Sequence, residues 1–467
     1  MSNPHRRPGS KEIFETMPVP SALAKMALPT IASQLVALIY NIADTWFIGQ
    51  TDNPYMVAAS SLVLTLFLMT VALANLFGVG GGTLTVRLLG LQNEEEARKV
   101  ASLSLVMAGG ISLLFSLLCL IFMDPLLYLL GSSSNTIVYA RQYLFFVVVL
   151  GAVPTVLSNT MSTMIRNIGY SKEAGFGLSF GGVLNVILDP IFMFVLLPDG
   201  YQVVGAAMAT LISNLVVLLY FVVTYRRLSR STILALPRRI ERIGRNSMAS
   251  IFSIGLPAAL GVLLFDMTNI VLNRLAATHG DIELAAIGIV LKAERLPLNV
   301  GIGICLGMAP LVAYNFASGD QKRMRAFFKA ARLAGLVISL ASVVMYRFSA
   351  PYIMQAFIDD PETVRLGTAF LKARCVATPL MFLSFHMFHF MQAMNQGRCS
   401  FFMAVIRHLL LNIPTQLMMN HLFGVQGIVW AQTMADTINV CVSYLIYFYT
   451  MRNLFPSSQA SDQTGAG

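Results

Sequence analysis

Apolar runs of roughly twenty residues or more recur along nearly the whole chain, and they limit the folds open to it. The hydrocarbon slab of a bilayer is about 30 Å thick, so an α-helix needs roughly 20 apolar residues to cross it. Such runs can be drawn at 25–49, 57–86, 101–122, 138–165, 173–197, 203–225, 247–277, 285–316, 333–350, 365–395, 399–420 and 425–450. No alternating lipid-facing strands accompany them, so helices rather than a closed barrel must satisfy the backbone. The expected fold is an all-α membrane protein of about twelve transmembrane helices. Only 12% of the residues are charged, about half the share of a soluble domain and too few to cover a core of this size.

The loops between the runs carry an orientation signal. One set holds the bases: Arg87 to Lys99, Arg166 to Lys172, Arg226 to Arg245, Lys322 to Arg332, and Arg398. The N-terminal tail adds Arg6, Arg7 and Lys11, and the C-terminal tail adds Arg452. The alternate loops contain no Lys or Arg and hold Asp52, Asp124, Asp199, Asp281, Glu283, Asp359, Asp360 and Glu362. By the positive-inside rule both termini are cytoplasmic, which requires an even number of spans. The net charge of +10 therefore belongs to short loops. It does not form the basic face with stacking aromatics that a nucleic-acid partner needs. The cysteines Cys119, Cys305, Cys375, Cys399 and Cys441 form no CxxC pair and read as small core residues. No cleavable signal peptide is visible ahead of the first span.

The chain also repeats itself. Ala27-Leu28-Pro29 matches Gly255-Leu256-Pro257. Gly78, Gly90 and Ala97 match Gly307, Gly319 and Ala326, and Asn167-Ile168-Gly169 matches Asn395-Gln396-Gly397. Gly205 and Ala209 match Gly427 and Ala431. The nearly constant offset implies two homologous six-helix bundles in the same orientation. The expected organisation is a cytoplasmic tail at 1–24, bundles at 25–225 and 247–451, a basic cytoplasmic linker at 226–246 and a C-terminal tail at 452–467. GxxxG pairs at Gly78/Gly82, Gly177/Gly181 and Gly303/Gly307 mark places where helices can approach closely.

No GxxxxGK[ST], HExxH, GxSxG or complete GxGxxG occurs, so the chain reads as no enzyme and as carrying no nucleotide-driven engine of its own. Work against a gradient would have to draw on an ion gradient. The informative residues are then carboxylates inside the spans, which cost roughly 2.5–3.5 kcal/mol each at a helix centre on the insertion scale and persist where they bind something. Three stand out: Asp44, Asp189 and Asp266. Asn185 lies one turn before Asp189 on the same face. Pro190 cannot donate to the carbonyl of Val186, which frees a backbone oxygen. A carboxylate, an amide oxygen and a free carbonyl suit a hard cation such as Na⁺. Thr210 and Asp44 could complete the shell, and Asp44 is the leading candidate for a protonatable switch. His386, His389 and Arg407 are possible accessory residues, with Arg407 expected to pair with a carboxylate. Lys292, Glu294 and Arg295 are expected to include a local ion pair. Abundant Met and Phe suit an adaptable pocket.

These residues resemble a known family. The run Ala27-Leu28-Pro29 through Tyr40-Asn41-Ile42-Ala43-Asp44-Thr45-Trp46-Phe47-Ile48-Gly49 resembles the first helix of the multidrug and toxic compound extrusion (MATE) family. So do Met164 to Gly169, Asn185-Val186-Ile187-Leu188-Asp189-Pro190-Ile191-Phe192, Gly205 to Thr210, and Ala309 to Asn315. The resemblance covers about 20–450 and leans toward the MepA-like bacterial branch. It implies two bundles forming a cleft that alternates between faces, with amphipathic, often cationic drugs exported in exchange for Na⁺ or H⁺. It implies a cation site at Asp44, Asn185, Asp189 and Thr210, a nearby polar residue at Asn159, and a bend at Pro29. It further implies a monomer in the bacterial inner membrane, with no cofactor beyond the coupling ion. Some members use acidic residues of helices 7 and 10; Asp266 matches the first, but no carboxylate lies between Val376 and Gln396. The alternatives are a lipid-linked saccharide flippase of the same superfamily, an integral membrane enzyme acting on lipids, and a receptor or scaffold.

Overall fold

The computed structural model describes residues 9–51, 53–234 and 244–455. Arg6 and Arg7 of the basic tail, Asp52, residues 235–243 of the basic linker and the tail from 456 lie outside the described residues. Long helices dominate: α1 (Gly9–Glu15), α2 (Val19–Gly49), α3 (Pro54–Gly90), α4 (Glu94–Ile121), α5 (Met123–Leu129), α6 (Ile137–Leu144), α7 (Ala152–Asn167), α8 (Ser171–Pro190) and α9 (Gln202–Leu228) come first. They are followed by α10 (Arg245–Ala277), α11 (Asp281–Ala317), α12 (Gln321–Phe357), α13 (Pro361–Arg374), α14 (Thr378–Ala393), α15 (Gly397–Val405) and α16 (Ile413–Leu454). No strand occurs among the described residues.

The starts of several helices follow from local sequence. Asn53 precedes Pro54 and accepts from the Tyr55 N–H at 3.0 Å, and Asn93 accepts from the Glu96 N–H at 3.2 Å ahead of three glutamates in the first turn. A side-chain oxygen at the cap and carboxylates beside it satisfy the N–H groups and dipole that a helix start leaves free. Asp360 plays the same role for α13, where Pro361 occupies the first turn.

Ten helical stretches are long and apolar enough to cross a bilayer, and the pair Ile137–Leu150 and Ala152–Asn167, bent by 44°, makes an eleventh. The last stretch, Gly397–Leu454, has 58 residues, which at 1.5 Å per residue would run nearly three bilayer thicknesses. It reverses at Gly424, whose φ of 58° and ψ of −142° suit glycine alone. Gly427 packs against the Met419 carbonyl, and Arg407 meets Asp436, 29 residues on, which a straight helix forbids. Counting that reversal, the described residues make the twelve crossings that the apolar runs predict.

The duplication shows in the turns. The left-handed residue after α3 is Gln92 (φ 60°) and after α11 is Gly319 (φ 83°); the one after α7 is Gly169 (φ 96°) and after α14 is Asn395 (φ 62°). Turns after corresponding helices thus share left-handed backbone, 227 and 226 residues apart, slightly out of register with the sequence pairs Gly90/Gly319 and Gly169/Gly397. In the stretch expected as an N-terminal tail, α1 forms a helix, and α2 starts at Val19 ahead of the expected span.

By packing, the chain falls into two units. One comprises Met1–Leu263, Asn299–Ala334 and Gln392–Arg398, and the other Leu264–Leu298, Gly335–Met391 and Cys399–Gly467. In the first unit one core gathers Ile48, Met56, Val63, Leu127, Leu144, Val148, Val203 and Ala206. The second unit centres on Leu272, Ile287, Val290, Tyr346, Phe370, Leu371 and Ile428. Outward faces carry long apolar rows such as Leu113, Leu114, Leu117, Leu118 and Ile121 of α4, the surface expected against lipid.

Candidate functional site

Glycine placement brings the polar residues of the first unit together. Gly175 and Gly182 sit seven residues apart on one face of α8, and Asn185 and Asp189 continue that face. A methyl at Gly182 would lie 2.8 Å from Val36 Cγ1 and 3.1 Å from Tyr40 Cδ1 of α2, and Gly175 rests on the Pro29 carbonyl. The other face of α8 presents Gly177 to Tyr220 and Phe221 of α9, and Gly181 to Val217. With glycine on both sides, α8 lies close to α2 and α9 at once, and close approach of this kind is how helices associate in lipid.

The site lies along those contacts. Asp189 is fully buried, and one of its carboxylate oxygens accepts from Asn185 Nδ2 at 3.3 Å. The same amide nitrogen reaches Thr210 Oγ1 of α9 at 3.3 Å. The second oxygen, Asp189 Oδ2, is buried with no hydrogen-bond partner, as is Asp44 Oδ1. The two carboxylates lie within electrostatic range of each other. Pro190 ends α8 and leads into a π-helical turn at Ile191–Leu196. The Val186 carbonyl is thereby denied its regular donor, and π turns of this kind concentrate at functional sites. A methyl at Gly205 of α9 would lie 2.8 Å from the Phe192 carbonyl carbon, so the missing side chain lets that turn tuck against α9.

The structure thus brings Asn185, Asp189 and Thr210 into one hydrogen-bonded cluster, with Asp44 beside it. It also adds two residues that sequence reasoning missed. Tyr40 lies one turn before Asp44, and Tyr143 of α6 lies within electrostatic range of Asp44, Asp189 and Tyr40. The i,i+4 spacing to Asp44 was a usable signal for Tyr40, whereas nothing in sequence ties Tyr143 to the others. Asn159 is not drawn in: its Nδ2 donates at 2.8 Å to the Thr155 carbonyl of its own helix. Pro29 lies inside α2, which runs unbroken from Val19 to Gly49.

Chemically, two carboxylates with one unsatisfied oxygen apiece, a hydroxyl and an amide form an oxygen-rich pocket short of positive charge. A proton on one carboxyl or a small hard cation between them would remove the deficit.

The second unit is built differently. Arg374 binds Glu294 through Nε at 2.8 Å and Nη2 at 3.0 Å, and Arg407 Nε binds Asp436 at 3.0 Å, both pairs nearly inaccessible to solvent. Asp436 also accepts from Gln432, and Arg407 stacks over Phe385 at 4.3 Å. Asp266 pairs with Arg295 at 3.6 Å, and Arg295 covers Phe265. Glu294 and Arg295 therefore bond to distant helices, so the local ion pair expected there is replaced by long-range ones: each side chain projects from α11 toward a different neighbour. The expected carboxylate partner of Arg407 is Asp436, which sequence reasoning overlooked. A cavity of about 20 Å³ lies among Thr268, Asn269, Glu294, Arg374, Arg407 and His408, about the size of one water. His386 is fully buried beside Phe382, while His389 Nδ1 meets the Phe385 carbonyl at 2.8 Å. Every carboxylate of this network faces an arginine, in contrast to the uncompensated pair of the first unit.

The MatE family model matches residues 29–191 and again 257–418, the second match beginning 228 residues after the first. The chain belongs to the MATE family. Among MATE relatives, the "Multidrug export protein MepA" of Staphylococcus haemolyticus is 32% identical over 96% of this chain and 97% of its own length. The protein of the same name from Staphylococcus saprophyticus is 32% identical over 93% and 95%. Among solved structures, an outward-facing multidrug resistance MATE family transporter of the MOP superfamily superposes with a TM-score of 0.90 at 22% identity, covering 97% of this chain and all of that one. The Vibrio cholerae MATE transporter VcmN superposes at 0.87 with 18% identity over 96% and 99%. The MATE fold is thus shared over nearly the whole chain.

Proposed function

We propose that this chain is a secondary multidrug exporter that expels amphipathic, often cationic compounds in exchange for Na⁺ or H⁺ by alternating access. The observation that carries the reading is the pair of buried, unpartnered oxygens on Asp44 and Asp189. The names of the MepA relatives support the multidrug part. Cation or proton entry removes an uncompensated charge, so the loaded and empty transporters prefer different packings of α2 against α8. Exchange requires that cation and drug favour different conformations, because a ligand that binds both equally shifts nothing. Asn185, itself bonded to Thr210, holds Asp189 in place, and Tyr40 and Tyr143 lie within electrostatic range of the carboxylates. No cofactor beyond the coupling ion is needed.

The matching repeats support an organisation in two six-helix bundles, 25–225 and 247–451, joined by the basic linker 226–246. Basic loops at one end support cytoplasmic termini in a bacterial inner membrane, with the monomer as the working unit. At the acidic end, Arg141 binds Asp124 at 2.6 Å and Arg365 binds Glu362 at 2.6 Å. These two bases near that end are thus matched by loop carboxylates.

The test is reconstitution in liposomes with a fluorescent cationic dye, first under an imposed Na⁺ gradient and then under an H⁺ gradient. Dye movement driven by one gradient identifies the coupling ion. No movement under either, with folded protein, rejects the exporter and leads to lipid-linked saccharides as cargo.

A further inference from the structure

Seven residues make too short a helix to persist alone in water, yet Ile13 and Phe14 of α1 are each only 2% exposed. The C-terminal carbonyls of α1 are among those a helix leaves without internal partners, and Arg323 at the start of α12 takes them. Its Nε donates to the Phe14 carbonyl at 2.6 Å, and its Nη2 to the carbonyls of Met17 at 2.6 Å and Ile13 at 3.3 Å. A cation at this end also opposes the helix dipole. Asn315 Nδ2 adds a bond to the Phe14 carbonyl at 3.2 Å. The Tyr314 hydroxyl donates to Glu15 at 2.5 Å, and its ring stacks on Phe14 at 4.8 Å. Gln92, held in left-handed backbone between α3 and α4, accepts from Lys11 and donates to Tyr314. All these residues belong to the first unit.

Below α1 lies the seam that these bonds cover. A methyl at Gly307 of α11 would lie 2.6 Å from Ala27 Cα of α2, and one at Gly303 would lie 2.7 Å from Ile31 Cγ1. A methyl at Gly90 would lie 2.6 Å from the Tyr314 carbonyl. Helices of the first repeat and α11 of the second therefore meet backbone to backbone at the end that carries the basic loops, and α1 spans the same two sets of elements above them.

We propose that α1 is a latch that holds this end of the transporter shut, and that Arg323 is the positioning residue that fastens it. The proposal rests on the alternating-access reading: a state open at this end separates α2 from α11, and Arg323 then has to release the α1 carbonyls. Only Thr16 to Pro18 join α1 to α2, which carries Asp44 on its far half, so the latch and the cation site share one helix.

Hydrogen–deuterium exchange on the full chain in lipid nanodiscs tests this, with no gradient and no drug present. In Arg323→Ala, peptides covering 20–31 and 303–318 should exchange at least tenfold faster than in the native chain, while those covering 185–189 and 205–215 stay protected. Arg323→Lys, which keeps the charge but not the fork, should recover part of the protection. A folded Arg323→Ala chain with native exchange in both segments overturns the latch. If Arg323→Ala loses protection everywhere, Tyr314→Phe decides by the same criterion, since it removes one hydroxyl and keeps the stacked ring. A native chain that moves no dye under either gradient refutes the exporter reading and leaves the exchange result standing.

Discussion

Asp189 has protein on every side, yet one of its oxygens has nothing to accept from. Such a group is costly in a membrane interior and is kept where it binds something. Asp44→Asn should therefore abolish gradient-driven dye export while leaving expression and thermal stability near native, as liposome flux and a melting curve would show; retained export in that variant removes the mechanism. The opposite behaviour is expected of Arg407, whose charge Asp436 already compensates. Arg407→Met strands a buried carboxylate and should destabilise the chain by about 3–5 kcal/mol, and adding Asp436→Leu should restore much of the loss in a denaturation series. The first cluster was legible because Asn185, Asp189 and Pro190 lie within one and a half turns and Asp44 is a charge inside an apolar run. The pairings of Arg407 with Asp436 and of Glu294 with Arg374 were not, since the partners lie 29 and 80 positions apart and nothing local joins them. Tyr143 shares this difficulty, because a tyrosine in an apolar stretch is unremarkable until its neighbours are known.

At the scale of elements, α8 is the least replaceable helix of the first unit. Its glycines serve two neighbours at once, so Gly182→Val should push Val36 and Tyr40 of α2 away and reduce export at least tenfold while α8 remains helical. Export at the native rate would show that α2 tolerates the displacement. Helix ends offer a milder test. Asp360 accepts from the Thr363 N–H at 2.8 Å and from its hydroxyl at 2.6 Å, and these bonds hold its carboxyl below the usual carboxylate range. Its cap is therefore complete above the ordinary aspartate range and is lost as the pH falls through the lower folded value. Asp360→Asn keeps an acceptor, so exchange at the start of α13 should lose that pH dependence. The spans themselves were readable from apolar length alone. The bend between α6 and α7 and the π turns were not, because they lie inside apolar stretches and leave hydropathy unchanged, whereas the break at Gly424 falls between the runs drawn at 399–420 and 425–450.

At the scale of the molecule, two related halves have come to carry different electrostatics. The first holds an uncompensated acid pair, and the second holds carboxylates that arginines already neutralise. One coupling site per chain is expected. The shift in melting temperature with added Na⁺, or with pH if H⁺ is the ion, should disappear in Asp189→Asn and persist in Asp266→Asn; loss in both would mean that the halves share the site. The repeat was visible in spaced glycines and prolines, but the loss of symmetry in charge emerged only when pairing partners were known.

Gly424 bears on how such a chain is made. The last two crossings meet at one glycine, with no polar loop between them, and His279 bonds Asn420 just ahead of it at 2.6 Å. So short a connection ties the two crossings together, and they are expected to enter the bilayer as a hairpin. An epitope inserted at 424 would have to break that hairpin, and a fusion or truncation ending there would leave buried Arg407 without its counter-ion Asp436.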